Sequence, residues 1–458
     1  MTTWFAPYAW LPSDDDGDRS TGRNRNVARG GHVARDVAIV VDGDRITAVT
    51  ADSPAPPDAQ RLHGLVLPGL ANVHSHTFHR ALRGRTEQGS GDFWSWREQM
   101  YAVAARLDPE SLYALARATF AEMALAGITA VGEFHYLHHD PAGRPYDDAN
   151  AMSHALAAAA SDAGVRLTLI DTCYLRGGFD RDLDEVQRRF TDGDADGWAA
   201  RVEALPASDG MRVAAGIHSV RAVPGDAIAA VAAWADERDA PLHVHLSEQP
   251  AENAACLAAT GQTPTALLAE HGALGPSTTA VHATHLTAND IALLGDSSTA
   301  ICLCPTTERS LADGVGPAAA LAAAGCPLTV GSDSHAVIDL FEEARAIELD
   351  ERLATRRRGL HRPADLLTAA TGAGMDALGW DAGRIAVGRL ADLVVVDVAG
   401  VRMAGVDPSD AAAVVFAATA ADVTDVIVGG RQVVADRCHV GVGDVGAALR
   451  QAIATVTA

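Results

Sequence analysis

The 458-residue chain contains no lysine: its 36 basic side chains are all arginine, set against 59 carboxylates. That absence excludes an amine nucleophile or Schiff base, a phosphate-loop lysine, and a carboxylated lysine bridging two metal ions. Positive charge is scarce altogether. A net charge of -23 and a pI near 5.1 repel nucleic acid and anionic membranes at long range, so neither is an expected partner. An anionic small substrate would need a local arginine site. No apolar stretch approaches the roughly 18 unbroken residues of a membrane span. The opening Met-Thr-Thr-Trp-Phe-Ala-Pro has no basic end followed by an apolar run, so a cytoplasmic protein is expected. Cysteine is limited to six residues with no Cys-x-x-Cys pair, which points to buried thiols rather than a disulfide framework or a structural zinc site.

With 48% hydrophobic and 21% charged residues the chain can build one large core plus a smaller domain, with disorder expected only near residues 13–31. The two ends share a texture. Residues 37–50 read as two β-branched runs around Asp42-Gly43-Asp44, a hairpin pattern, and residues 384–398 and 425–436 repeat that style with glycine at the bends. These terminal strands are expected to meet in one small β-sandwich domain. Between them, short apolar runs alternate with Ala- and Leu-rich helical stretches, the signature of a parallel sheet with crossover helices. Strands are expected at 65–73, 128–134, 165–171, 212–217, 241–246, 279–283, 299–304 and 327–331. One helix is clearly punctuated, with Asp108 as N-cap, Pro109 at the first position, an apolar face of Leu112, Leu115, Ala116 and Phe120, and Gly127 as the stop. Eight such strands fit an α/β fold of the (β/α)8 TIM-like barrel type. The competing doubly wound sheet lacks its Gly-rich fingerprint after the first strand. The expected organisation is 1–64 and 381–458 in the β domain, with 65–380 as the barrel.

Eighteen histidines is a high count, and several fall at the C-terminal ends of predicted strands, where a barrel places its active site. His74-Ser75-His76 ends the first strand, and residues i and i+2 of a strand face the same way, so both imidazoles can meet one point. His243-Val244-His245-Leu246-Ser247-Glu248 follows the fifth strand, His282-Ala283-Thr284-His285 the sixth, and Gly331-Ser332-Asp333-Ser334-His335 the eighth. Imidazole together with carboxylate suits one divalent cation, zinc above all, with an open position for water whose pKa falls from 15.7 to about 7 on binding. The expected ligands are His74, His76, His245 and Asp333. His243 is expected to pack outward against a helix, and His282 is preferred to His285 because it follows directly on its strand.

The Pro68-Gly69-x-x-x-x-His74-x-His76 strand, His245-x-x-Glu248, His282 and Gly331-Ser332-Asp333 together resemble the amidohydrolase superfamily. The likeness extends to Gly388-Arg389-Leu390-Ala391-Asp392-Leu393-Val394 and so covers nearly the whole chain. A chain without lysine matches the one-metal deaminase branch, in which the glutamate and the strand-six histidine move protons; here these are Glu248 and His282, with Asp333 as ligand and proton acceptor. Within that branch His74 to Ala81, Phe93-Trp94-Ser95-Trp96-Arg97-Glu98-Gln99-Met100, Glu133-Phe134-His135-Tyr136 and His218-Ser219-Val220-Arg221 resemble the N-formimino-L-glutamate deiminase family of histidine degradation. The resemblance implies a cytoplasmic homodimer, a dicarboxylate substrate, and substrate contacts at Arg97, Tyr136, His218 and Arg221. It departs at His79, where the family has glutamine; imidazole and amide overlap in reach, so His79 is kept as a substrate contact.

Arginine offers a planar fork of donors suited to carboxylates, which is why Arg97 and Arg221 are singled out. A structural ion pair or a stacked arginine is the alternative for each, and a packed tyrosine for Tyr136. Trp94 and Trp96 read as core or lid packing, and His135, His138 and His139 as solvated or supporting groups. Two other functions fit the motifs less well: a deaminase of an aminated heterocycle of guanine or triazine type, which would not need paired arginines, and a non-catalytic barrel scaffold, which would have lost its ligands.

Overall fold

The computed structural model describes residues 1–13, 30–86 and 93–458, with the side chains of Phe93 and Trp94 left out. The expected disorder near 13–31 and the packing of Trp94 therefore lie outside the described residues.

Eight parallel strands, Leu70–Ser75, Ile128–His135, Arg166–Cys173, Met211–Ile217, Leu242–Leu246, Thr278–His282, Ala300–Leu303 and Leu328–Val330, follow one another in sequence order across a single sheet. A parallel bridge between Ser75 and Asp333 brings its two edges together, with Asp333 N–H donating to the His74 carbonyl at 3.0 Å and His76 N–H to the Asp333 carbonyl at 3.2 Å. The result is a nearly closed (β/α) barrel. The helix Pro109–Leu125 starts as its sequence requires: Asp108 accepts from Ser111 N–H in a reciprocal capping box, Pro109 opens the first turn, and Leu112, Leu115, Ala116 and Phe120 are buried.

The first strand differs from expectation. The run 65–73 is two strands in two sheets: Leu65–Pro68 pairs antiparallel with Leu393–Val396 of the terminal sheet, and only from Leu70 does the chain join the barrel. Gly69 makes the crossing, since a Cβ there would fall 2.1 Å from Thr129 Oγ1. An apolar run cannot reveal such a break, because both halves are fully buried.

The terminal strands do meet, and they are hydrogen-bonded into one mixed sheet of nine with its own apolar cluster around Ile39, Val66, Leu393 and Ile427. Strands Gly31–Asp42 and Arg45–Thr50 form the expected hairpin, and Val423–Val428 with Arg431–Ala435 a second one through Gly429 and Gly430, both at positive φ. Of the residues 384–398 only Leu393–Val396 is strand. Asp392 is buried there and takes a two-pronged contact from Arg166 of the third barrel strand at 2.8 and 3.0 Å, tying sheet to barrel. Ala71, Val73, Ala130, Val281, Cys302 and Cys304 cluster with Met375, Leu378 and Trp380 from the segment after the eighth strand. Five of the six cysteines are buried and all are free.

Candidate active site

The closing bridge of the barrel is also where the candidate ligands converge. His74 and His76 end the first strand, and Asp333 is held between them by the two backbone bonds that shut the barrel. His245, near the end of the fifth strand, brings its Nε2 to 3.0 Å from that of His74; Asp333 Oδ1 lies 3.4 Å from His74 Nε2 and 3.5 Å from His76 Nε2. Tetrahedral bonds of about 2.0–2.1 Å place donor atoms roughly 3.3 Å apart, so this spacing suits one zinc-sized ion. The tautomers suit it too. His76 Nδ1 donates to the Phe134 carbonyl and His245 Nδ1 to that of His218, each at 2.9 Å, which leaves both Nε2 lone pairs turned inward. Burial, reinforced by neighbouring imidazoles, holds His74, His76 and His245 well below the usual histidine range, so they are neutral donors. The donor set therefore fits a divalent metal ion on the chemistry of its own residues.

Backbone strain aims these groups. Ser247, His282, Ala283, Asp333 and His335, all at or just beyond the ends of strands five, six and eight, have φ between 40° and 69°. Such conformations cost non-glycine residues about 1–3 kcal/mol each and persist where surrounding structure over-determines them. His282 is thereby turned to the cluster: its Nε2 lies 3.8 Å from Glu248 Oε1 and 3.9 Å from Asp333 Oδ2, while its Nδ1 faces Glu308 Oε1 at 3.3 Å. Burial disfavours charge on this ring, yet the facing carboxylates of Glu248, Glu308 and Asp333 outweigh it and hold its pKa well above the imidazole value. Burial pushes the Glu248 carboxyl up to about 7 against the pull of His282. His285 instead bonds the Asp313 carbonyl at 2.8 Å, away from the cluster.

A cavity opens over the cluster, lined by His76, His245, Glu248, His282 and Asp333 on one side and by His79, Arg97, Tyr136, His218 and Arg221 on the other. The structure thus brings every singled-out residue, except the deeply buried His74, onto one cavity, with His74 touching His245 behind it. Arg97 donates to the Tyr101 hydroxyl at 2.9 Å and lies over that ring at 4.8 Å. Arg221 has a buried Nε with no hydrogen-bond partner among the described residues. His79 Nε2 is 3.3 Å from Tyr136 Oη, its buried Nδ1 has no hydrogen-bond partner among the described residues, and Trp96 stands edge-on to it at 5.1 Å. His218 packs edge-on against Tyr174 at 4.5 Å.

Three residues escaped the reading of the sequence. Glu308 orients His282 and accepts from Cys304 N–H at 2.9 Å; the only hint was a carboxylate just past the seventh strand. Glu133 is buried beneath His76, accepting from Thr77 N–H and the Thr77 and Ser75 hydroxyls, and burial pushes it up to about 7. Its place in the Glu-Phe-His-Tyr string could have found it. Asp313 is driven up to about 9 by burial and by Glu248. His243 corrects an expectation: strand alternation puts it on the inward face with His245, where it is fully buried. His138 and His139 join a structural network with Asp171, Asp192 and Arg201.

Residues 65–433 match the amidohydrolase family model. The chain belongs to that family. A formimidoylglutamate deiminase of Pseudomonas aeruginosa is 39% identical over 89% of this chain and 93% of its own length. An 8-oxoguanine deaminase of the same organism is 31% identical over 87% of this chain and 89% of its own. Among solved structures, an amidohydrolase from Brucella melitensis superposes with a TM-score of 0.89 at 32% identity over the full length of both chains. An adenosine deaminase from Xanthomonas campestris with bound zinc gives 0.81 at 25% identity over 99% of this chain and 97% of that one. This amidohydrolase is a hydrolase acting on C–N bonds of a small molecule, with a buried His/Asp cluster spaced so that it could hold a metal ion. No helix among the described residues is long and apolar enough to cross a membrane.

Proposed function

We propose that this amidohydrolase hydrolyses N-formimino-L-glutamate to N-formyl-L-glutamate and ammonia, a step of histidine degradation, with one divalent ion, zinc by its donor set, held by His74, His76, His245 and Asp333. The observation that carries the reading is the pair Arg97 and Arg221 on the wall of the cavity. In a chain of net charge -23, two guanidinium groups beside a hydrolytic centre are what a dicarboxylate needs and a neutral ring does not. Tyr136, His218 and His79 complete the polar wall.

A bound ion supplies Lewis acidity that makes water a nucleophile near neutral pH. The remaining work falls to side chains. His282 and Asp333 hold the attacking water at the formimino carbon, and Asp333 takes its first proton. Glu248, close to half protonated near neutrality, delivers its proton to the imine nitrogen, then takes the remaining hydroxyl proton of the adduct and passes it to the departing ammonia, and the proton held on Asp333 restores Glu248. As the C–O bond forms and the C–N bond breaks, in net balance both protons of the water end on the leaving nitrogen, and the carbonyl of the formyl group remains. Glu308 keeps the His282 ring turned toward that exchange. A homodimer belongs to the same reading and rests on the family resemblance, and a cytoplasmic location is kept with it from the sequence.

The 8-oxoguanine deaminase relative supports a second reading, deamination of an aminated heterocycle. Ammonia release from N-formimino-L-glutamate, N-formimino-L-aspartate and guanine separates the two: turnover of the first is expected, and its absence with turnover of guanine transfers the assignment. A non-catalytic scaffold would not retain so complete a set of ligands.

A further inference from the structure

Arg221 reaches the cavity from a loop, and a loop aims a side chain only as well as its own backbone is held. That loop follows the fourth barrel strand, Met211–Ile217, and turns on itself, with Ala222 and Val223 N–H both donating to the Ser219 carbonyl at 3.1 and 3.0 Å. The next two carbonyls along the chain, those of Val220 and Arg221, are taken by a side chain from the neighbouring loop. Arg176, three residues past the third strand Arg166–Cys173, donates from Nε to the Arg221 carbonyl at 3.0 Å and from Nη2 to the Val220 carbonyl at 2.9 Å.

These two bonds have a specific geometric effect. The Val220 carbonyl belongs to the peptide unit before the Arg221 Cα and the Arg221 carbonyl to the one after it, and each unit is planar. Holding both planes fixes φ and ψ of Arg221 and so the direction of its Cα–Cβ bond. Arginine is suited to this because its donors sit in a rigid fork and bonds from a charged donor are the strong ones. The fork is itself held, lying over the Phe179 ring at 4.9 Å. Backbone bonds join the same two loops: Leu175 and Arg176 N–H donate to the Ala222 carbonyl at 2.9 and 3.0 Å, and His218 N–H to the Cys173 carbonyl at 3.2 Å. Gly178 of the same loop runs along the Arg221 stem, since a Cβ there would stand 4.0 Å from Arg221 Cγ. Arg176 is not part of the cavity lining that includes Arg221.

We propose that Arg176 is a positioning residue for substrate binding: without touching the substrate, it clamps the two peptide units that flank the Arg221 Cα and thereby sets the direction in which Arg221 meets a substrate carboxylate. This rests on the reading of Arg221 as a contact of a dicarboxylate substrate.

The test is a double-mutant cycle in the full-length, metal-loaded enzyme, with initial rates of ammonia release from N-formimino-L-glutamate for wild type, Arg176→Met, Arg221→Met and the double variant. Misplacing a binding group by about 1 Å can cost about 10²-fold, and Arg176→Met is expected to raise KM about 10-fold or more. Its kcat should change less than about threefold, because the carboxylate is bound in ground and transition states alike. With Arg221 already replaced, the same substitution should change KM less than about twofold, since the two residues act as one coupled unit. A merely structural arginine would lower kcat through the active fraction and would cost as much in either background. An unchanged KM in Arg176→Met, a loss confined to kcat, or equal losses in both backgrounds overturns the proposal and leaves Arg221 in its role. A neutral Arg221→Met instead removes the substrate contact, and with it the reading beneath the proposal. If Arg176→Met does not fold, Arg176→Lys goes through the same cycle: lysine keeps the charge but not the planar fork, so KM should rise, again only where Arg221 is present, and a wild-type KM overturns the clamp.

Discussion

Arg221→Met is the change on which the substrate assignment most depends. Arg221 shares the cavity with Glu248 and Asp333, and its buried Nε has no hydrogen-bond partner among the described residues, so a ligand carboxylate is its natural counterpart. Methionine keeps much of the side-chain volume and removes only the charge and donors. A hydrogen bond to a charged group contributes about 1.5–3 kcal/mol, which corresponds to about 10- to 150-fold in kcat/KM. Because the carboxylate is bound in ground and transition states alike, most of the loss should appear in KM. A secondary effect follows from the field of Arg221, which lowers the Glu248 carboxyl; without it Glu248 should titrate higher and the pH profile move up. The assay is initial-rate ammonia release from N-formimino-L-glutamate across pH 6 to 9, about neutrality where such acid–base groups operate. A change smaller than about threefold, less than 1 kcal/mol, would refute the role of Arg221, and so would an equal fall with guanine as substrate.

Other consequences can be checked in the same preparations. Glu248→Gln should lower kcat by about 10²- to 10⁴-fold, the usual worth of a positioned acid or base, with metal content by elemental analysis unchanged; full activity would remove Glu248 from the chemistry. Chelation should abolish activity and lower the Tm, since an ion at about 1,000 times its Kd contributes about 4 kcal/mol of stability, and re-addition should restore both; a Tm indifferent to chelator would count against a bound ion. Glu133 gives a pH test of stability. Its folded pKa of about 7 lies above the ordinary 4.5, so the folded state binds more protons and stability falls as pH rises from about 4.5 to 7. The penalty is about 3 kcal/mol at 1.36 kcal/mol per unit. Glu133→Gln mimics the protonated form, so its stability relative to wild type by urea denaturation should grow by that amount across the window; parallel curves would contradict the assigned burial penalty.

Much of this molecule was legible before any coordinate. Seven of the eight barrel strands lie close to where their apolar runs predict, because period and punctuation are local properties written in consecutive residues. The pairing of His74 with His76, the choice of His282 over His285, and the grouping with His245, Glu248 and Asp333 followed from residue types at strand ends. The absence of lysine independently excluded a lysine-bridged pair of metals.

Other features depend on residues far apart in the chain, and only the tertiary structure could decide them. The break at Gly69 exists because Thr129 occupies the space a side chain would need and Leu393–Val396 captures the residues before it. Glu308 became part of the site because the helix after the seventh strand turns it onto His282, and Glu133 because Ser75 and Thr77 close over it. His243 was misplaced although its alternation with His245 was visible, since a buried histidine in a strand reads alike whether it faces the barrel interior or a covering helix. Sequence fixes the chemistry each position can perform and the face on which it stands; closure of the barrel between Ser75 and Asp333 determines which of those groups share one dry volume, and in that volume burial sets their charge.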